Sequence, residues 1–117
     1  MHTIVLAVAR DYTLSPIPSR ILTVLAGHVN YQDRYFCYPK ITTLSQECIC
    51  SRDTVKRCVA ELVELGYIRI EYCATIKGRE TKQNAYHFLG NESEYTDKNG
   101  RVSRIWKFDC KIKKLEN

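Results

Sequence analysis

Arg52, Asp53, Lys56 and Arg57 occupy a stretch of six positions just after Ser51. If Val55, Cys58, Val59 and Leu62 turn inward as one helical seam, those four polar residues lie on the outward side of the first two turns, and Ala60 continues that side without bulk. Guanidinium and ammonium groups in such a row donate to phosphate oxygens, or to paired acceptors such as O6 and N7 of guanine. A second group of cations, Lys77, Arg79 and Lys82, falls in the polar run Lys77-Gly78-Arg79-Glu80-Thr81-Lys82-Gln83-Asn84. A hairpin tip of that kind can follow a phosphate backbone or set an arginine in a narrow groove. Taken alone, the first row is equally an ordinary solvated helix face, and the second a solubilising turn. Covalent chemistry has less to work with: there is no phosphate-cradling glycine loop, no metal-ligand cluster, and no Ser or Cys visibly paired with a base. The expectation is a non-enzyme with no metal and no cofactor.

The elements that would hold these residues follow from local signals. Ser51 is placed to accept a hydrogen bond from a free backbone N–H in the first turn of the helix it precedes, and Gly66 follows Leu65 where a left-handed residue ends a helix. Upstream, Ile41, Leu44 and Cys48 recur at spacings of three and four, which predicts a two-turn helix over Thr42 to Cys48, separated from the next by a turn of about three residues. Ile21, Leu22, Val24, Leu25 and Val29 predict an amphipathic helix over Arg20 to Val29. Ser15-Pro16-Ile17-Pro18 is expected to break the chain before it, with Ser19 as the cap. Ile4 to Arg10 is ambiguous between helix and strand. A short strand is expected near Phe36 to Tyr38, ended by Pro39. Ile68, Ile70 and Tyr72 alternate with Arg69 and Glu71, so Tyr67 to Cys73 reads as a half-buried strand, with a second at Ala85 to Leu89.

The order is therefore helix, short strand, helix, tight turn, helix, strand, basic loop, strand. It is the order of an α+β winged helix-turn-helix, a three-helix core with a β-hairpin wing. Beyond a polar, turn-rich stretch from Asn91 to Gly100, the apolar residues Val102, Trp106, Phe108, Cys110 and Ile112 suggest one added C-terminal strand. We divide the chain into a DNA-binding domain, 1–90, and an extension, 91–117, that packs on it or pairs with a second copy.

Composition is compatible with this reading. The 117 residues, 44% hydrophobic, can support one core, and a net charge of +5 permits a polyanionic partner without requiring one. The apolar run Ile4 to Ala9 has no basic leader and is too short to span a bilayer, which points to a cytoplasmic, unprocessed protein with no membrane role. The six cysteines include no Cys-x-x-Cys pair, and several fall where a helix or strand wants an apolar side chain. Reduced, buried thiols are the expected state.

Arg20 to Leu89 resembles the winged helix-turn-helix family of phage, plasmid and mobile-element replication and regulatory proteins. The stretches that carry the likeness are Ile21 to Asn30; Tyr38-Pro39 with Thr43-Leu44; Ser51-Arg52-Asp53-Thr54-Val55 through Leu62; and Leu65-Gly66-Tyr67-Ile68. The resemblance implies that Arg52, Asp53, Lys56 and Arg57 face DNA, that Lys77 to Lys82 form the wing, and that Ile4 to Arg10 is a helix. Two residues depart from the pattern. Ile49 stands in the turn where the family usually has glycine, and a positive backbone angle is costly for a β-branched residue, so a rebuilt turn is one expectation. Cys50 replaces the usual leucine, leaving room for its neighbours or for Ile49 to tuck inward.

The function these readings favour is sequence-specific binding of double-stranded DNA, regulating transcription or replication initiation of a mobile element. The contacting residues would be Ser51, Arg52, Asp53, Thr54, Lys56 and Arg57 of the recognition helix and Lys77, Arg79 and Lys82 of the wing. One subunit has limited reach, so a homodimer is expected, with Val102, Trp106 and Phe108 as its contact, or with that strand packed on its own domain. The alternative is a winged-helix adaptor whose basic surfaces meet an acidic protein partner. A third reading is redox or metal sensing through Cys48, Cys50 and Cys58.

Overall fold

Helix α1 (Thr3–Ala9) buries Ile4 and Val8, spaced one turn apart, and so resolves the ambiguity of the N-terminal run in favour of a helix. The computed structural model describes residues 3–11, 13–29 and 35–109. Its further elements are α2 (Pro16–Gly27), β1 (Phe36–Cys37), α3 (Ile41–Cys48), α4 (Arg52–Leu65), β2 (Ile68–Glu71), β3 (Thr75–Ile76), β4 (Arg79–Glu80), β5 (Ala85–Phe88), β6 (Gly90–Thr96) and β7 (Val102–Phe108). The result is an α+β fold of helices and antiparallel sheets.

The start of α2 corrects the sequence reading. The helix begins at Pro16, with Ser15 in an extended conformation before it, and the Ser19 N–H already donates to the Ser15 carbonyl at 2.9 Å. Pro16 and Pro18 fall in the first turn, where a backbone N–H has no partner within the helix, so the missing donors cost nothing and the fixed φ favours helix entry. Ser19 is inside the helix and does not cap it.

One core joins all the layers. Ile21, Leu22, Leu25 and Ala26 of α2 meet Leu44 and Cys48 of α3 and Val55, Cys58, Val59 and Leu62 of α4, with Ile68, Tyr86 and Phe88 from the sheet. The sheet has strand order β1-β5-β2, with Cys37 opposite Tyr86 and Ile68 opposite Phe88. Beyond it the hairpin continues into the small β3-β4 pair, whose Ile76 packs with Ala74, Ala85 and Phe36 in a separate cluster.

The region after Leu89 holds two strands and not one. β6 pairs with β7 from Gly90 opposite Phe108 to Thr96 opposite Val102. The sequence of β6, Gly-Asn-Glu-Ser-Glu-Tyr-Thr, has no apolar alternation because most of it is exposed, and its strand character comes from pairing with β7. The indole of Trp106, 2% exposed, enters the main core. Phe108 packs at its margin, edge-on to Tyr67 at 5.0 Å and to Trp106 at 5.9 Å. Trp106 and Phe108 are thus held within the chain's own fold, while Val102 is 64% exposed. Cys110 and Ile112, read as the end of that strand, lie outside the described residues.

Hydrogen bonds seat this hairpin on the rest of the chain. The Glu92 carboxylate accepts from Thr3 Oγ1 and from Tyr35 Oη, each at 2.8 Å, which ties β6 to α1 and to the entry of β1. These two bonds hold the Glu92 carboxyl below its ordinary range, against the opposing effect of burial. The Tyr35 ring lies 4.9 Å from that of Trp106. The Tyr67 hydroxyl donates to Asp11, fixing the segment between α1 and α2. No helix among the described residues is long and apolar enough to cross a membrane.

Candidate nucleic-acid interface

α4 is set by signals at both ends. Ser51 is extended, and its Oγ accepts from the Thr54 N–H at 3.1 Å; the two hydroxyls also lie 2.9 Å apart. Both side chains are therefore engaged in the cap. Asp53 adds a negative charge at the positive end of the helix dipole. At the other end Gly66 takes a left-handed φ of 89°, and the N–H groups of Gly66 and Tyr67 close onto the carbonyls of Val63 and Leu62. That is a Schellman termination, sealed by the buried pair Leu62 and Tyr67.

The joint between α3 and α4 is built in the same way, with an unexpected residue. Ile49 takes φ 53° and ψ 54°, its N–H reaching the Gln46 carbonyl and that of Cys50 the Ser45 carbonyl. The turn is therefore not rebuilt around Ile49: the hydrogen-bonded termination keeps its left-handed residue and bears the β-branched strain. Nor does Ile49 tuck inward beside Cys50, since it is 86% exposed. α3 is braced from α2 by two contacts that sequence patterns do not reveal. Arg20 Nη1 donates to the Cys48 carbonyl at 3.3 Å, and His28 Nε2 meets Glu47 Oε1 at 2.6 Å.

Helix packing leaves the predicted cations outward. Arg52, Asp53, Lys56 and Arg57 are all exposed, whereas Val55, Cys58, Val59 and Leu62 are buried. Two acidic residues, Glu61 and Glu64, follow on the exposed side, so positive charge is confined to the first half of the helix. In the hairpin, Lys77 and Gly78 both have positive φ, 53° and 79°, the two-residue turn that matches the twist of a tight β-hairpin. The tip is anchored by Thr81, whose N–H and hydroxyl both donate to the Ala74 carbonyl. Lys77, Arg79 and Lys82 are exposed on it.

No ion pair among the described residues involves any of these cations. The pairs present are His28 with Glu47, His87 with Glu71, and Arg104 with Glu92 and Glu94. α4 and the hairpin also flank one open recess of about 410 Å³, lined by Lys56, Ala60 and Val63 on one side and Ile70, Tyr72 and Asn84 on the other. A helix-turn-helix pair with a basic first half to its second helix, beside a basic hairpin, is thus on the surface. Residues 12–68 match the family model of a helix-turn-helix domain.

The helix-turn-helix match runs across α2, α3 and α4, covers just under half of the chain, and supports a DNA-binding unit there. Most of the basic hairpin and the whole β6-β7 hairpin lie beyond it. No curated protein and no solved structure matches the chain.

The thiols near the helix-turn-helix joint have a different character. Burial raises the pKa of Cys48 and of Cys58, and that of Cys37 is pushed up to about 12 by burial. Protonated thiols are poor nucleophiles and poor metal ligands. Cys73, at a left-handed position before β3, is exposed.

Proposed function

We propose that this chain is a sequence-specific double-stranded DNA-binding protein of winged helix-turn-helix type. The first half of α4 enters the major groove and the β2-β5 hairpin acts as the wing along the backbone. The observation that carries this reading is the set of six exposed cations, Arg52, Lys56, Arg57, Lys77, Arg79 and Lys82, that have no acidic partner among the described residues and stand on two neighbouring elements. Lys77 stands at a left-handed turn position, which sets its ammonium at the tip of the hairpin. Within a cell the binding would regulate transcription or replication initiation of a mobile element, in the cytoplasm. Two copies would act together, since one helix reads only a short half-site. The exposed Val102 is the remaining candidate for their contact, as Trp106 and Phe108 are engaged in their own chain.

The test is the salt dependence of duplex affinity. Each phosphate contact removed should lower the log-log slope by about 0.9. Lys77, Arg79 and Lys82 replaced together by alanine should weaken binding uniformly across sequences. Arg52, Lys56 and Arg57 replaced together should also reduce discrimination between sequences. Duplex affinity unchanged by the α4 replacement would contradict the reading.

A further inference from the structure

Beyond Arg57, the side of α4 that borders the recess turns from basic to apolar. Ala60 is exposed and Val63 is 36% exposed, one turn and nearly two turns past Lys56, and Tyr72 of the hairpin, 70% exposed, stands across from them. Together they form an open apolar stripe that continues directly from the cations. Glu61 and Glu64 lie on the same half of the helix and repel phosphate oxygens, so backbone contact on α4 ends near Arg57. A duplex drawn in by the cations therefore meets Ala60 and Val63 with an uncharged part of its surface. On the major-groove edge the apolar group is the 5-methyl of thymine.

We propose that Ala60 and Val63 are specificity-determining residues that contact thymine methyl groups, and so select A·T pairs at the part of the site reached by the second half of α4. The inference rests on the reading that α4 enters the major groove, and extends that contact from the first half of the helix to Ala60 and Val63. With a rise of 1.5 Å per residue, Ala60 lies about 6 Å and Val63 about 10 Å along the axis from Lys56. Base pairs are stacked 3.4 Å apart along the duplex axis, so at any crossing angle the selected A·T pairs fall within about three steps of the position that Lys56 reaches.

The experiment uses the full chain and a duplex recovered from a randomised pool. Each thymine in that site is replaced in turn by uracil, which keeps base pairing and removes only the methyl, and affinity is read by fluorescence anisotropy. Uracil at one or two positions is expected to weaken wild-type binding about fourfold, the effect of exposing one buried methyl. In Ala60→Ser and Val63→Ser, which put a hydroxyl in place of the apolar contact and leave no methyl, the thymine-to-uracil ratio at those positions should approach one. Affinity for the uracil duplex should meanwhile stay within about twofold of wild type, because no methyl contact is left to lose there. A folding defect would instead weaken both duplexes alike. Sequence-specific binding that ignores uracil at every position would overturn the inference and leave the groove reading standing, as would be seen if the stripe docks a protein. A recovered site without T·A pairs in that part would overturn it too. Failure to bind any duplex would overturn the groove reading and the inference with it.

Discussion

Replacing Ile49 by glycine is expected to stabilise the protein. A non-glycine residue in the left-handed region costs about 1–2 kcal/mol. Glycine relieves that strain but adds chain entropy to the unfolded state, worth about 0.5–1 kcal/mol against it. With φ 53° and ψ 54° at this position, and a side chain 86% exposed that loses no core contact when removed, the net gain is about 1 kcal/mol. For a chain of 117 residues this corresponds to a rise in Tm of about 4 °C. Urea unfolding followed by circular dichroism is the assay, with the midpoint moving up and the slope unchanged. Gly66→Ala supplies the mirror-image control at the end of α4, where φ is 89°, and should lose about 1 kcal/mol. A neutral or destabilising Ile49→Gly, with Gly66→Ala behaving as expected, would refute the argument that the joint stores left-handed strain.

Glu92→Gln is expected to lower stability in a pH-dependent way. The folded carboxyl titrates below its ordinary value of 4.5, so its contribution is fully present above that pH and is lost as pH falls through the folded value. The gap between wild type and variant should therefore be widest near neutral pH and close in acid, as read by urea unfolding across a pH series. Gly90→Ala should destabilise by about 2 kcal/mol, because a Cβ there would sit 2.2 Å from the Lys107 carbonyl oxygen and 2.8 Å from the Trp106 ring. Tryptophan fluorescence should shift to the red in the same variant. Thiol labelling of the folded protein should be fast at the exposed Cys73 and drop by one rapidly reacting group in Cys73→Ser, whereas Cys37, 2% exposed and with its pKa pushed up to about 12, should react only on unfolding.

The sequence was most informative where several local signals agreed. α4 has a serine cap, a continuous apolar seam and a terminal glycine, and all three act as they read. The first strand that follows it alternates clearly, and its pairing with the next is the simplest available. The start of α2 was hidden because the same prolines that break a helix interior are favoured in a first turn. β6 was hidden because its polar residues show no period, and only the partner strand makes it extended. The basic residues of the candidate interface could be named from spacing, but their lack of acidic partners could not. Nor could the bond from Arg20 to the Cys48 carbonyl, since it depends on where the chain brings distant groups. The place of Trp106 follows the same logic: an apolar row in sequence does not say whether its own chain or another covers it.

The most direct test of the central claim is selection of binding sites from randomised duplexes at two salt concentrations, with the Arg52, Lys56 and Arg57 triple alanine variant beside the wild type. We expect a defined motif recovered by the wild type at both salts and lost in the variant. Weak, uniform, salt-sensitive recovery without a motif, or a motif that survives in the variant, would contradict the account and turn attention to an acidic protein partner.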